Sequence, residues 1–288
     1  MMKRNRYAKL AAFGIAAAVF SACLGFENPA ATTAVIAGEV GEPASAPSAR
    51  PAVQVCSAAP SSSSEIPWQA CVSETQKADP SFLDDAVFVG DSVTLKLKYY
   101  AAVRRKKDPS FLGKAKFLAA GSMGSGNALQ PVSAQSIHPL YNGKKAPLED
   151  SAAKMGAKKI YIMLGINDIA LYGIDRSAKN LEKLALRFLK VCPDAELFIQ
   201  SATPMVREKQ LKSLNNKNIA AYDKELLEIC QKQKWNYLDV ASVLQGSDGA
   251  LKPEYCSDPG ILGIHFTDKA CNVWVRYILT HTGKETGG

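Results

Sequence analysis

The sequence predicts an α/β fold in which a parallel sheet is covered on both faces by helices. Five apolar runs of strand length point to this class: "AVFVG", "AKFLAAG", "KKIYIMLG", "AELFIQSATP" and "WNYLDVAS". Amphipathic segments alternate with them and predict helices over Ala178–Cys192, Asn215–Lys234 and Asp268–Thr280. Because the runs are apolar almost throughout, we expect strands buried on both faces, as in parallel sheets.

The chain divides by composition into three parts. It has 288 residues and is 47% hydrophobic, enough to bury a sizeable core. Residues 1–23 form an export segment, and residues 24–79 form a flexible tether rich in Ala, Pro and Ser. The strand and helix patterns predict one folded, catalytic domain over residues 80–288.

The N-terminal residues have the pattern of a secretory signal. Four cations precede an apolar run from Leu10 to about Phe26. Small residues before Cys23 resemble the lipobox at which bacterial lipoproteins are cleaved and acylated, although Phe20 departs from that pattern. An uncleaved anchor is the alternative. Both interpretations predict an exported domain, tethered to the outer face of the cytoplasmic membrane; a secreted domain is the remaining alternative.

The net charge and the cysteines indicate which partners, metal sites and disulfides to expect. Removing the four cations of residues 1–22 lowers the net charge from +8 to +4, which gives no reason to expect a nucleic-acid partner. Besides Cys23 there are six cysteines, and none forms a CxxC pair, so we expect neither a metal site nor another cofactor. Export permits disulfides, and Cys56 with Cys71 is the favoured pair.

Candidate functional residues lie just after the predicted strands, where ligands bind in parallel sheets. Ser92 follows the first strand and needs a base, usually a histidine. His265 is favoured over His138 and His281, which we interpret as structural. Suitable donors to an oxyanion are the Ser92 N–H, a glycine N–H and the Asn167 amide, and the glycine is Gly124 or Gly121.

These residues together resemble the four blocks of the SGNH hydrolase family of the GDSL type. The matches are "GDSVT" at Ser92, "AGSMGSGNAL" at Gly124, "LGIND" at Asn167 and "GIHFT" at His265. The resemblance implies a flavodoxin-like, three-layer α/β/α sandwich. It also implies that Ser92 is the nucleophile, that His265 is the base, and that Gly124 and Asn167 join the Ser92 N–H in the oxyanion hole.

One position departs from the family pattern. The family usually has an aspartate three residues before the histidine, and this chain has Leu262 there. Asp258 lies seven residues before His265, and a loop through Pro259 and Gly260 would fold its carboxylate back onto the imidazole. Alternatively, a backbone carbonyl orients the ring and the enzyme works as a Ser–His dyad.

The predicted function is therefore a serine esterase acting outside the cytoplasm. Its substrate would be an esterified small molecule or carbohydrate, with an O-acylated polysaccharide of the cell envelope favoured by the predicted export. An O-acyltransferase would use the same acyl-enzyme. A third possibility is a glycan-binding lipoprotein that has lost catalysis, for which Leu262 is the sequence support.

Overall fold

The computed structural model describes residues 68–283, and its centre is a five-stranded sheet. All neighbouring strands are parallel, in the order β2-β1-β5-β6-β7, and a short antiparallel hairpin, β3-β4, lies outside the sheet. The strands are β1 Ala86–Gly90, β2 Lys116–Ala119, β3 Leu140–Tyr141, β4 Lys144–Lys145, β5 Lys159–Met163, β6 Glu196–Gln200 and β7 Asn236–Leu238. The predicted parallel sheet is confirmed.

Helices alternate with the strands. They are α1 Ser92–Arg104, α2 Ser125–Ala128, α3 Leu148–Lys154, α4 Ile166–Tyr172, α5 Ile174–Val191, α6 Asn216–Gln233, α7 Val240–Leu244 and α8 Asp268–Thr280, with 3-10 turns at Pro80–Leu83, Arg207–Lys209 and Pro253–Tyr255. The three helices expected from the sequence are confirmed, and α6 and α8 are capped by the side chains of Asn215 and Thr267. Helix α5 begins four residues earlier than predicted, directly after Gly173.

The sheet separates two apolar cores. On one face α5 and α6 cover the strands with side chains that include Leu184, Phe188 and Leu226. On the other face α1 and α8 pack Leu97 and Trp274 against a row of stacked rings that runs across the sheet: Phe117, Phe88, Tyr161 and Phe198. The three-layer architecture holds the carboxyl ends of β1, β2 and β5 side by side, where the polar loops meet.

The segment 68–79 belongs to the folded domain, whereas the sequence placed it in the tether. Ala70 is fully buried, and Cys71 forms a parallel bridge with Tyr237 at the edge of the sheet. Further along, the N–H groups of Thr75 and Ala78 donate to carbonyls at the end of α8. Backbone hydrogen bonds to an open strand edge hold this segment, and composition alone does not reveal such pairing.

Cys71 is disulfide-bonded, and Cys192, Cys230, Cys256 and Cys271 are free. The predicted signal, the acylation site at Cys23, the proposed partner Cys56 and the tether up to residue 67 lie outside the described residues. Within residues 68–283, no helix is both long and apolar enough to cross a membrane. The same part of the chain contains no group of three or more His, Cys, Asp or Glu placed to hold a metal ion.

Candidate active site

Ser92 lies at the junction between the buried strand β1 and helix α1. Asp91 caps the helix, and its Oδ1 accepts a hydrogen bond of 2.9 Å from the Val93 N–H. Ser92 is therefore the first helical residue, where an N–H has no intrahelical acceptor and points toward an incoming anion. The strand-to-helix turn thus presents both a hydroxyl and a backbone donor at the carboxyl edge of the sheet.

The structure brings Ser92, His265 and Asp258 into one hydrogen-bonded chain. The His265 Nε2 lies 3.0 Å from the Ser92 Oγ, and the His265 Nδ1 lies 2.7 Å from the Asp258 Oδ2. Ser92 and His265 are 173 residues apart in sequence. In this geometry the imidazole can take the hydroxyl proton while the carboxylate stabilises the imidazolium that forms.

A tight loop places Asp258 under the imidazole. Its backbone carbonyl accepts from the N–H groups of Ile261 and Gly263, which folds the chain back on itself. Its Oδ1 accepts from the Ile264 N–H at 3.1 Å and the His265 N–H at 3.0 Å. The carboxylate therefore organises the loop as well as facing the ring, and this is how a spacing of seven residues brings the two side chains together.

Leu262, at the family's usual aspartate position, is 39% exposed, and its apolar side chain offers no acceptor to His265. Asp258 is only 8% exposed. Burial by itself raises the pKa of Asp258, but hydrogen bonds from the His265 ring and N–H and from the Cys256 thiol outweigh it and leave this pKa below its usual value. Asp258 is therefore ionised at neutral pH, as a partner of an imidazolium must be.

Asn167 is positioned by the turn between β5 and α4. Gly165 in that turn has φ +148°, and the Tyr222 ring occupies the space where a Cβ would stand. The Tyr222 hydroxyl donates to the Leu164 carbonyl at 2.8 Å and fixes the turn from below. The Asn167 Nδ2 donates to the Asp91 Oδ2 at 3.2 Å and to the Met123 carbonyl at 3.1 Å.

Gly124 lies beside Asn167, at the start of the short helix α2. The Asp168 carboxylate accepts from the Ser125 N–H at 2.7 Å and the Gly126 N–H at 2.8 Å, which anchors this loop to α4. The Gly124 N–H donates to the Asn127 Oδ1 at 3.0 Å. Two of the three predicted oxyanion donors, Gly124 and Asn167, are therefore hydrogen-bonded within the protein.

Gly121 occupies the turn after β2, which is closed by the bond from the Met123 N–H to the Ala120 carbonyl. Of the two candidate glycines, Gly121 therefore makes the turn. Asn127 and Tyr222 were not singled out from the sequence. The position of Asn127, three residues after the helix cap Gly124, was a local signal, because a side chain there can accept a hydrogen bond from the cap N–H. Tyr222 lies 57 positions after Gly165 and gave no local signal.

Two buried carboxylates flank the site. Burial raises the pKa of Asp91 to about 6, while the Val93 N–H and His265 lower it and Asp168 adds to the rise. Burial also raises the pKa of Asp168, against the hydrogen bonds from Gly126 and Ser125. Their hydrogen bonds to Val93, Asn167 and the α2 N–H groups hold the loops of the site in place.

The other two histidines lie in structural settings. The His138 ring is buried and contacts the Ala128 carbonyl and the Ser136 hydroxyl at 3.1 and 3.0 Å. The His281 ring stacks on Tyr277 with 3.7 Å between centroids. Burial lowers the pKa of His281, so packing rather than a positive charge explains its place at the end of α8.

Comparisons with known proteins match the same region of the chain. The GDSL-like Lipase/Acylhydrolase family matches residues 88–271, which include Ser92, Gly124, Asn167 and His265. Comparison with curated proteins found no similar sequence.

Three solved structures illustrate the fold similarity. One, described as a GDSL-like lipase from Parabacteroides merdae, is 11% identical, with 74% of this chain and 99% of that chain covered and a TM-score of 0.51. A GDSL-like lipase from Bacteroides thetaiotaomicron is 15% identical over 68% of this chain and 86% of that one, with a TM-score of 0.48. A catalytic mutant of an acetylxylan esterase from Geobacillus stearothermophilus is 14% identical over 74% and 96%, with a TM-score of 0.48.

The similarity to the Parabacteroides merdae structure agrees with the α/β/α fold, and the family match covers more than half of the sequence. The chain therefore belongs to the GDSL-like lipase/acylhydrolase family and is an ester-hydrolysing serine hydrolase.

Proposed function

We propose that this protein is an exported, membrane-tethered esterase that removes O-acyl groups, acetyl foremost, from carbohydrate of the cell envelope. The observation that carries the proposal is the hydrogen-bonded chain from the Ser92 Oγ through His265 to Asp258. Ser92 is the nucleophile, His265 the general base and Asp258 the residue that orients the imidazole and stabilises its charge.

The reaction proceeds through an acyl-enzyme. The Ser92 Oγ attacks the ester carbonyl as its proton passes to the His265 Nε2, and the carbonyl oxygen becomes an oxyanion. The C–O bond to the sugar then breaks, and the His265 proton leaves with the sugar hydroxyl. Water attacks the acyl-serine with His265 again as base, which releases the carboxylic acid and restores the Ser92 hydroxyl.

The proposed substrate class is based on the predicted export of the domain and on the exposure of its catalytic histidine. Residues 1–23 have the pattern of a secretory signal, and an exported domain held near the membrane meets envelope polymers first. The His265 side chain is 29% exposed, so the reacting pair can be reached by an ester attached to a bulky glycan. Acylation at Cys23 would supply the tether.

Labelling with a fluorophosphonate probe tests the mechanism. The full-length protein should be labelled, and Ser92→Ala and His265→Ala should each abolish labelling, whereas the matched controls Ser110→Ala and His281→Ala should not. A folded wild-type protein without labelling would contradict the mechanism and favour a glycan-binding role. Incubation with an acetylated glycan should then release free acetate; appearance of the acetyl group on an added glycan would identify an acyltransferase instead.

The tether has its own test. Cys23→Ala should move the protein from the membrane fraction to the medium or the periplasm. Continued retention of that variant in the membrane fraction would show that the anchor does not depend on Cys23.

A further inference from the structure

The peptide between Met123 and Gly124 is held by hydrogen bonds on both of its sides. Its carbonyl accepts from the Asn167 amide at 3.1 Å, and its N–H donates to the Asn127 Oδ1 at 3.0 Å. This peptide is trans, as are all those in the described residues, and a trans peptide directs its C=O and its N–H to opposite sides. The Gly124 N–H therefore points away from the side on which the Asn167 amide lies.

An oxyanion hole needs the opposite arrangement. Its donors must converge at about 2.7–3.1 Å on one oxygen atom. While the Met123 carbonyl faces the Asn167 Nδ2, the Gly124 N–H cannot point at an oxygen that the same amide also reaches. The second N–H of Asn167 is occupied by the Asp91 Oδ2 at 3.2 Å. The resting site thus satisfies these donors internally.

We propose that Asn127 is a positioning residue that holds the oxyanion hole closed at rest, and that the hole opens when the Met123–Gly124 peptide turns over. The inference rests on the proposed Ser92 chemistry. Asn127 is fixed at both ends, because its Nδ2 donates to the Ser122 carbonyl at 3.0 Å while its Oδ1 accepts from the Gly124 N–H. Turning the peptide frees one Asn167 N–H and brings the Gly124 N–H to the same side.

Glycine at position 124 permits this motion. Its φ is −130° in the resting structure, and reversal of the peptide would move φ by about 180°, into the left-handed region that glycine adopts readily. A Cβ at this position would lie 2.7 Å from both carboxylate oxygens of Asp168. Any other residue would therefore obstruct the loop in the resting state and resist the turned state.

Two substitutions at Asn127 separate a positioning role from a structural one. Asn127→Ala removes the acceptor that holds the Gly124 N–H, so kcat for p-nitrophenyl acetate should rise about two- to tenfold. Asn127→Asp gives up the bond to the Ser122 carbonyl but keeps an acceptor, now charged, for the Gly124 N–H. Because a charge-assisted bond holds this N–H more strongly, kcat should fall about tenfold or more. Because an oxyanion forms only in the transition state, KM should stay unchanged in both variants.

A direct measurement covers the case in which either variant folds poorly. In the full-length protein labelled with ¹³C and ¹⁵N, the Gly124 amide resonance is assigned through its coupling to the carbonyl carbon of Met123. A boronic acid that forms a tetrahedral adduct on Ser92 should shift this resonance in the wild type. In Asn127→Ala without the inhibitor, the resonance should already lie partway to the shifted position.

Opposite changes in kcat, together with the amide shift, would support the inference. Parallel falls in kcat and thermal stability in both variants, with no shift of the Gly124 resonance, would show that Asn127 only caps helix α2 and would overturn it. Labelling with the fluorophosphonate probe distinguishes failure of this inference from failure of the proposed function. A labelled wild type with parallel falls refutes the inference alone, whereas an unlabelled wild type refutes the proposed function and the inference with it.

Discussion

Replacing Asp258 by asparagine is the sharpest perturbation of the hydrogen-bonded chain, because the change is isosteric and its orientation can be worked out. Three donors converge on Oδ1: the N–H groups of Ile264 and His265 and the thiol of Cys256. These donors require an oxygen at that position, so the amide NH₂ of Asp258→Asn must face the His265 ring. A donor there forces Nδ1 to act as acceptor and puts the ring proton on Nε2, where the ring cannot take the proton of Ser92.

The expected loss follows from this wrong tautomer and from the missing charge beside the imidazolium. In a Ser–His–Asp triad the same exchange lowers kcat about 10⁴-fold. This corresponds to about 5 kcal/mol of transition-state stabilisation. The free energy of unfolding should fall by only about 1–2 kcal/mol, since the loop donors keep an oxygen acceptor. A large loss of activity with a small loss of stability is therefore the predicted signature.

Steady-state hydrolysis of p-nitrophenyl acetate and urea unfolding measure the two quantities. The matched control is Asp268→Asn, the same chemical change at a carboxylate whose side chain is 68% exposed and paired with Lys96; it should leave kcat nearly unchanged. A fall in kcat of less than about tenfold for Asp258→Asn would refute the reasoning. It would mean that His265 is oriented without the carboxylate and that the enzyme works as a dyad.

Three further predictions concern a buried carboxylate, a glycine turn and the predicted disulfide. Burial raises the pKa of Asp91 from 3.8 to about 6, so the folded state binds this proton more tightly and the free energy of unfolding falls as pH rises through that window. Relative to Asp91→Asn, the wild-type free energy of unfolding should drop by about 2 kcal/mol between pH 4 and 6.5, and parallel pH profiles would contradict this. Gly165→Ala must adopt φ +148° against the Tyr222 ring. We expect urea unfolding to show a free energy of unfolding lower by at least about 2 kcal/mol, together with a lower kcat. The control Gly143→Ala lies in an open turn and should lose less stability. Non-reducing peptide mapping should recover Cys56 linked to Cys71, and reduction should lower stability by about 3 kcal/mol; a Cys23–Cys71 peptide would show that the pairing is wrong.

The residues of the site were accessible from the sequence because each follows an apolar strand. Ser92, Asn167 and the loop at Gly124 all lie where parallel strands end, and parallel strand ends share one edge of a sheet. For the group that orients His265, the sequence left two alternatives, Asp258 and a backbone carbonyl. Its placement depends on backbone bonds from Ile261 and Gly263 that close the loop, and a spacing of seven residues does not reveal them.

The sequence by itself determined the class of the fold, the residue types of the site and their order along the chain, since these depend on local apolar patterns and on short motifs. Tertiary structure decided the inclusion of residues 68–79 in the domain, which depends on pairing with Tyr237. It also decided the orientation of the Met123–Gly124 peptide, which depends on Asn127 and on an Asn167 side chain 44 residues away in sequence. The bond to Asn127 is local, but the bond from the Asn167 amide forms only when folding brings the two loops together, and no pattern within residues 122–127 reveals that partner.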